Sequence, residues 1–133
     1  MIPRSPAFSL GCLTVLLATG LAACAHGSSP GPRTADGLEL AVYDDHGSGS
    51  GDTALLVGSV VDQDGCLTVR QEGTGTSYVP TFPRDATASA RELRDGQPVS
   101  LQGGAVGARP ADVQAPPACD AAGDYWMVVA TTS

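Results

Sequence analysis

Short apolar runs, separated by segments rich in glycine, proline, aspartate and serine, make up most of the chain after residue 37. Runs of this length that contain β-branched residues and are bounded by turn-forming residues are typical of β-strands. Five strands are predicted in this way, at residues 53–61, 66–70, 78–82, 98–102 and 125–130. Residues 38–43 alternate more weakly and are predicted to form an additional edge strand.

The connection between the first two of these strands has the chemistry of a β-hairpin turn. Residues 62–65 read Asp-Gln-Asp-Gly, and an Asp-Gly pair suits the tight turns that join antiparallel strands, so Cys66 should lie at the turn end. Gly58 predicts a bulge or sharp bend in the first strand. Pro80 confines the third strand to an edge or a bulge, because proline cannot donate a hydrogen bond to a neighbouring strand.

One segment between the third and fourth strands has helical character. Residues 86–94 are rich in Ala, Arg and Glu and follow a possible cap at Asp85. The glycine pair at 103–104 should end the fourth strand, and residues 105–118, with three prolines, predict a long surface excursion. Five strands with a short helix between the third and fourth follow the order of elements in OB folds. The prediction is therefore all-β, a small five-stranded OB-like barrel with one short helix; a small open sandwich or roll is the alternative.

The N-terminal part of the chain carries a different pattern. Residues 8–23 are mostly apolar, follow Arg4 and end in residues 21–24, Leu-Ala-Ala-Cys. This segment resembles the signal peptide and lipobox of bacterial lipoproteins. The resemblance implies that a diacylglyceryl group is attached to the sulfur of Cys24 and that the preceding bond is cut. Acyl chains such as palmitate would then hold the protein on the extracytoplasmic side of the cell membrane.

Two other interpretations of this N-terminal segment are open. A conventional secretory signal would be cut after Ala25, since Ala23 and Ala25 satisfy the small-x-small pattern, but that pattern gives no reason for a cysteine at position 24. A membrane span requires about 20 mostly apolar residues. The segment is shorter than that, and serine, threonine and glycine dilute it.

The lipobox divides the chain into three predicted parts. Residues 1–23 are the signal peptide, residues 24–37 are a flexible tether dense in Gly, Pro and Ser, and residues 38–133 are a single small β domain. Within the domain, Gly-x-Val-Val at 58–61, Gly-Cys-Leu-Thr-Val at 65–69, Phe-Pro at 82–83, Asp-Gly at 95–96 and Gly-Gly at 103–104 are similar to segments of small lipoproteins of high-GC bacteria. This similarity implies no particular activity.

The cysteines support an exported domain. Of the four, Cys12 lies in the signal peptide and Cys24 is the predicted lipidation site, so Cys66 and Cys119 are left in the body. In an oxidising compartment these two should form a disulfide. Two free thiols are the alternative, and a metal site is disfavoured because the cysteines lack Cys-x-x-Cys spacing.

Charge excludes one class of partner. The formal net charge is −7, and the chain has no lysine. The six arginines after Arg4 are scattered between Arg33 and Arg109. Without a basic stripe the body should not bind nucleic acid, and an acidic body should be repelled by anionic lipid. Membrane attachment would then depend on the acyl chains on Cys24.

The strongest candidate for a metal site is an acidic loop. Asp44, Asp45 and Asp52 flank a Gly-Ser run, and three carboxylates could supply oxygen ligands to Ca²⁺. No complete ligand series is visible, however, and acidic Gly-Ser loops are usually solvated connections. We therefore predict no bound metal and no cofactor, with the loop remaining a mobile acidic connection.

The sequence offers few residues that are suited to catalysis. His46 lies in the Gly-rich loop, and a chain without lysine has no Ser-x-x-Lys pair. Tyr125 and Trp126 are predicted to send one ring into the core and the other outward, with contact to a polymer or protein partner as the alternative. The predicted function is a membrane-tethered, non-catalytic binding or envelope-interaction module for an envelope protein or polymer. The alternative is a small secreted enzyme or Ca²⁺-dependent domain.

Overall fold

The predicted hairpin and three further strands close into a barrel. The structure, a computed structural model, describes residues 31–44 and 54–132. The strands in these residues are β1 (Ala41–Tyr43), β2 (Ala54–Gln63), β3 (Cys66–Gln71), β4 (Ser77–Pro83), β5 (Pro98–Val106), β6 (Val113–Gln114) and β7 (Asp124–Thr132). The only helical segments in these residues are single 3-10 turns, at Arg84–Ala86, Ala90–Glu92 and Pro117–Cys119.

Five of the strands form the ring. Its order is β3-β2-β5-β7-β4, and pairing between β3 and β4 closes it. All neighbours in the ring are antiparallel except β4 and β7, which are parallel. Closure leaves the ring without an unpaired edge. The prediction of an all-β, five-stranded OB-like barrel is therefore confirmed.

The β2–β3 turn has the predicted chemistry. Asp64 and Gly65 both have positive φ, at 52° and 91°, as required at the two central residues of a type I′ turn. The backbone N–H of Gly65 donates to Oδ1 of Asp62 at 2.9 Å, and Gln63 pairs with Cys66 across the turn. The acidic residues of this segment therefore shape a hairpin, and Cys66 lies at its turn end as predicted.

Alternating residues of the ring fill the barrel interior. The ring strands contribute Leu56, Val60, Leu67, Val69, Phe82, Leu101, Trp126 and Val128 to the interior cluster, and Leu38, Leu40, Ala90 and Leu93 join it from segments outside the ring. Phe82 is fully buried, and Tyr78 meets Trp126 edge to face with ring centroids 5.5 Å apart. Such a core, built mainly from Leu and Val, follows from the small number of aromatic residues in the chain.

The predicted helix at residues 86–94 is instead a pair of 3-10 turns, which corrects that part of the prediction. Asp85 makes no side-chain cap, and the two turns are separated by a short segment in which Thr87 is buried. Ala90 and Leu93 both reach the interior cluster from the second turn. A segment this short has little intrinsic helical stability, so tertiary packing decides its conformation.

Two strand details also differ from the prediction. β4 is not an edge strand, because it pairs with β7 on one side and with β3 and then β1 on the other. Pro80 lies in the gap between the β3 and β1 pairings, where no ladder hydrogen bond is needed on that side. β5 does not end at the glycine pair but continues to Val106, with a register shift between Gln102 and Gly103.

Gly58 does not form the predicted bulge, and a glycine is required there for a different reason. The pairing of β2 is continuous there, with Gly58 opposite Gln71 on one side and Val99 on the other. A Cβ atom at this position would collide with the backbone carbonyl of Arg70. The glycine therefore permits a close approach of two strands.

The end of the predicted tether belongs to the folded body, which moves the domain boundary toward the N-terminus. Thr34 is buried, and its hydroxyl accepts a hydrogen bond from the backbone of Leu38 at 3.0 Å. The N–H of Ala35 donates to the carbonyl of Arg91 at 2.8 Å. The composition of residues 31–37 predicts a tether, but the first bond orders this segment and the second joins it to the barrel. In the part of the chain that the structure describes, no helix has the length and apolar character to cross a bilayer.

Candidate functional site

The face that OB folds generally use for ligands is covered by this chain itself. OB folds bind along their second and third strands, which correspond here to β3 and β4. Four outward side chains of these strands, Cys66, Thr68, Val79 and Thr81, have no exposed surface, whereas Arg70 near the end of β3 is exposed. β1 pairs alongside β4, and β6 pairs with β1 in turn. A ligand could reach the middle of this face only by displacing these segments.

A disulfide fixes part of this cover. Cys66 at the start of β3 is bonded to Cys119 in the last 3-10 turn, with Cα atoms 5.1 Å apart. The predicted pairing is confirmed. Around it lies a second apolar cluster outside the barrel, formed by Ala41, Cys66, Val79, Val113, Cys119, Ala122 and Tyr125. The long excursion predicted at residues 105–118 is therefore one of the covering segments.

The aromatic pair on β7 is buried on both sides of the strand. Trp126 points into the barrel with 5% of its surface exposed, and Tyr125 points outward into the second cluster with 6% exposed. The prediction that the rings lie on opposite faces of the strand is confirmed, but the outward ring does not reach solvent. Tyr43 is also engaged, since its hydroxyl donates to the carbonyl of Val128 at 2.8 Å. No exposed aromatic platform is present among these rings.

The uncovered outer surface of the barrel lies on β2, β5 and β7. Leu55, Val57 and Val129 are the large apolar side chains exposed there. A shallow groove of about 710 Å³ follows β2 between β3 and β5, and Val57, Val61 and Arg70 line it. Arg70 is exposed, and Glu72 lies beside it in the same groove. The groove therefore combines apolar walls with one charge of each sign.

A second concave region is built around arginines. Arg33, Arg84 and Arg91 line one pocket of about 460 Å³ together with Gly31 and Pro32. An adjoining cavity of about 560 Å³ shares Arg33 and Arg84 with it. We call this region the arginine pocket. Arginines that are far apart in the sequence thus meet at one place, which the charge distribution along the chain does not reveal.

Three segments position the side chains of the arginine pocket. Arg33 follows Pro32 in a β-bridge with Glu39, Arg84 opens the 3-10 turn after β4, and Arg91 lies in the following 3-10 turn. The hydrogen bond from Ala35 to the carbonyl of Arg91 joins the first segment to the third. The pocket is consequently formed where the segment that enters the barrel meets the connection between β4 and β5.

Two of the three guanidinium groups have carboxylate partners. Arg33 pairs with Glu39 at 2.6 Å, and Arg84 pairs with Asp44 at 2.7 Å. The side chains in these pairs are between 25% and 48% exposed. Ion pairs this exposed typically contribute only about 0 to 1 kcal/mol. Arg91 is exposed and forms no ion pair with any residue in 31–44 or 54–132.

The acidic loop is only partly described. Asp45 and Asp52 lie outside the described residues, and Oδ1 of Asp44 accepts a hydrogen bond from Nε of Arg84. No group of three or more His, Cys, Asp or Glu side chains arranged to hold a metal ion occurs in the described part of the chain. A Ca²⁺ ion at Asp44 would have to compete with the guanidinium group of Arg84.

We expect Ca²⁺ to leave the melting temperature of the protein unchanged, because ordering a Gly-rich loop costs about 1 to 2 kcal/mol per residue and Asp44 already has a partner. Calcium titration followed by thermal unfolding measures this. An Asp44→Asn, Asp52→Asn double variant is the control. A rise of several degrees with Ca²⁺ that the double variant loses would contradict the prediction and favour the Ca²⁺-dependent alternative.

Comparison with known proteins gives no further identification of the site. No family model matches the chain, and no curated protein or solved structure matches it. The functional argument therefore depends on the residues of this chain alone.

Proposed function

We propose that the protein is a lipid-anchored lipoprotein of the extracytoplasmic side of the cell membrane, with acyl chains on Cys24 and a non-catalytic barrel that contacts an envelope protein or polymer. The observation that carries this proposal is the run Leu-Ala-Ala-Cys at residues 21–24, placed after an apolar segment. A buried disulfide between Cys66 and Cys119 supports it, because disulfides persist in exported proteins and are rare in reducing compartments.

The short distance between the lipobox and the barrel also supports an anchor. Gly31 already lines the arginine pocket, and only seven residue steps separate it from Cys24. Even a fully extended chain of that length spans at most about 25 Å. An anchor at Cys24 would therefore keep the barrel next to the membrane, within reach of other envelope components.

A binding role suits the surface better than catalysis does. Nucleophilic or general acid–base catalysis needs reactive groups held within hydrogen-bond reach on a rigid frame. The sequence has two histidines, His26 and His46, and both lie outside the described residues. Cys66 and Cys119 are bonded to each other. The concave regions instead offer arginine side chains and apolar walls, which are groups that bind.

The anchor is tested by the mature N-terminus. Expressed in a bacterium with lipoprotein processing, the protein should begin at Cys24 and carry the mass of its acyl chains. Intact-mass measurement and N-terminal peptide mass spectrometry check this. Cys24→Ser should abolish acylation, whereas Cys12→Ser, which removes the other cysteine of the signal segment, should leave acylation unchanged.

Two outcomes would overturn the proposed anchor. An unmodified protein that starts at His26 would indicate conventional secretion. A protein that retains residues 1–23 would indicate a membrane span.

A further inference from the structure

The arginine pocket lies where the chain that leads from the proposed anchor enters the described structure. Gly31 and Pro32 form part of its wall, so the covalent path from Cys24 leads directly into it. With a span of at most about 25 Å, the pocket cannot leave the vicinity of the bilayer surface. The groove beside Arg70 is not lined by residues of this entering segment. This inference rests on the proposed anchor.

Among the described residues, three arginines and no carboxylate line the cavity of about 460 Å³ in the arginine pocket, although the chain as a whole is acidic. The protein has a formal net charge of −7 and six arginines after Arg4, and three of those six line this one pocket. An average over the sequence predicts repulsion from anionic lipid, but a local group of arginines is attracted to it at close range. Such attraction acts within about 10 Å at moderate ionic strength.

The guanidinium groups are available for a phosphate. Arg91 is exposed and has no ion-pair partner in the described residues. Arg33 and Arg84 are held by Glu39 and Asp44 in exposed pairs that cost little to exchange. The planar fork of a guanidinium group binds phosphate oxygens through two parallel hydrogen bonds. Glu39 and Asp44 partly neutralise Arg33 and Arg84. Arg91 is therefore the arginine of the pocket whose charge is least compensated.

We propose that the arginine pocket binds the phosphate groups of anionic phospholipids in the membrane that carries the anchor, with Arg91 as the principal contact. The acyl chains supply attachment, and the pocket sets orientation. The end of the barrel that carries Arg33, Arg84 and Arg91 then faces the bilayer. The surface of β2, β5 and β7 that carries Leu55 and Val57 remains accessible to an envelope partner.

Arginine footprinting on vesicles tests this arrangement. The mature protein, purified after acylation and removal of the signal peptide, is reconstituted into vesicles. These consist of phosphatidylcholine alone or of equal parts phosphatidylcholine and phosphatidylglycerol. Phenylglyoxal modification of each arginine is then measured by peptide mass spectrometry. The attraction of one arginine to an anionic membrane surface favours its bound state by about fivefold. Phenylglyoxal should therefore modify Arg91 about fivefold more slowly on the anionic vesicles than on phosphatidylcholine alone. Arg70 should react equally on both, and high salt should remove the difference at Arg91.

A pair of matched variants separates the pocket from overall charge. Arg91→Gln and Arg70→Gln each remove one exposed arginine that has no ion pair in the described residues. Arg91→Gln should weaken the protection of Arg33 and Arg84 from phenylglyoxal on anionic vesicles. Arg70→Gln should leave that protection unchanged. Equal effects of the two variants would overturn the proposal, since they would show that only net charge matters.

The remaining outcomes distinguish this inference from the proposed anchor. Failure to float with phosphatidylcholine vesicles would overturn the anchor, and the inference with it. Flotation with phosphatidylcholine vesicles and unchanged Arg91 reactivity on anionic vesicles would overturn the pocket assignment alone. A third arm adds inorganic phosphate to the phosphatidylcholine sample. Protection of Arg91 by free phosphate equal to that by anionic vesicles would assign the pocket to a soluble anion and overturn the membrane contact.

Discussion

Replacing Cys66 and Cys119 together by alanine is expected to destabilise the barrel by about 2 to 5 kcal/mol. The two residues are separated by 53 positions. Closing a loop of that length restricts the unfolded chain by about 4 kcal/mol in the chain-entropy model. Both side chains are fully buried, so the variant also loses packing in the second cluster. A small domain has a net stability of about 5 to 15 kcal/mol, and losses of this size remove much of it.

Urea unfolding followed by tryptophan fluorescence measures this loss. Trp126 is the only tryptophan in the chain and lies buried in the barrel, so its emission reports whether the barrel is closed. The wild-type protein in reducing agent is the control, because it loses the crosslink but keeps both cysteine side chains. If reduced and oxidised wild type unfolded at the same urea concentration, the crosslink would contribute nothing and the prediction would be wrong.

The disulfide also secures one of the segments that cover the β3–β4 face. It ties the 3-10 turn Pro117–Cys119 to the start of β3, and Val113 and Tyr125 pack in the same cluster. Without the crosslink, this cluster is held by packing and by the short pairing of β6 with β1. The ligand-binding face common in OB folds is therefore covered by strand pairing and secured by a covalent bond in this protein, and the arginine pocket and the β2 groove lie outside that cover.

The strands of the barrel were predictable because the patterns that indicate them are local, whereas ring closure depends on the long-range pairing of β4 with β7. Alternation of side chains and the Asp64-Gly65 turn are properties of neighbouring residues, and they fixed the hairpin and the identity of all five ring strands. The position of β4 was not predictable from Pro80. A proline excludes only one ladder hydrogen bond, and the strand tolerates it where its partner changes from β3 to β1. Such a change of partner is a tertiary property.

The covering segments and the arginine pocket depend on contacts between distant parts of the chain. Composition assigned residues 31–37 to a tether, because Gly, Pro and Ser predict low order unless tertiary bonds fix the backbone. Thr34 and Ala35 make such bonds, but their partners cannot be read from the sequence. In the same way, Arg33 and Arg91 are separated by 91 − 33 = 58 positions. Their meeting follows from the path of the chain, which no local pattern contains.

Gly103→Ala is expected to cost about 3 kcal/mol, the upper end of the range for overpacking. Gly103 is buried on β5, directly after the register shift with β7. A Cβ atom there would collide with the backbone carbonyl of Met127 and lie 3.0 Å from Nε1 of Trp126. A flexible side chain could move away, but the carbonyl belongs to the paired strand. Relief requires β7 to move away from β5, which would disturb the closure of the ring.

The glycine at position 107 provides the matched control. It follows the last residue of β5, and a Cβ atom there would meet nothing within 4 Å. Gly107→Ala should therefore change the free energy of unfolding by less than about 0.5 kcal/mol. Urea unfolding of both variants gives the comparison, and displacement of the indole should also alter the emission of Trp126 in folded Gly103→Ala. Equal stability of the two variants would mean that β5 and β7 are not as close at Gly103 as the ring requires, because the same methyl group would then fit both positions.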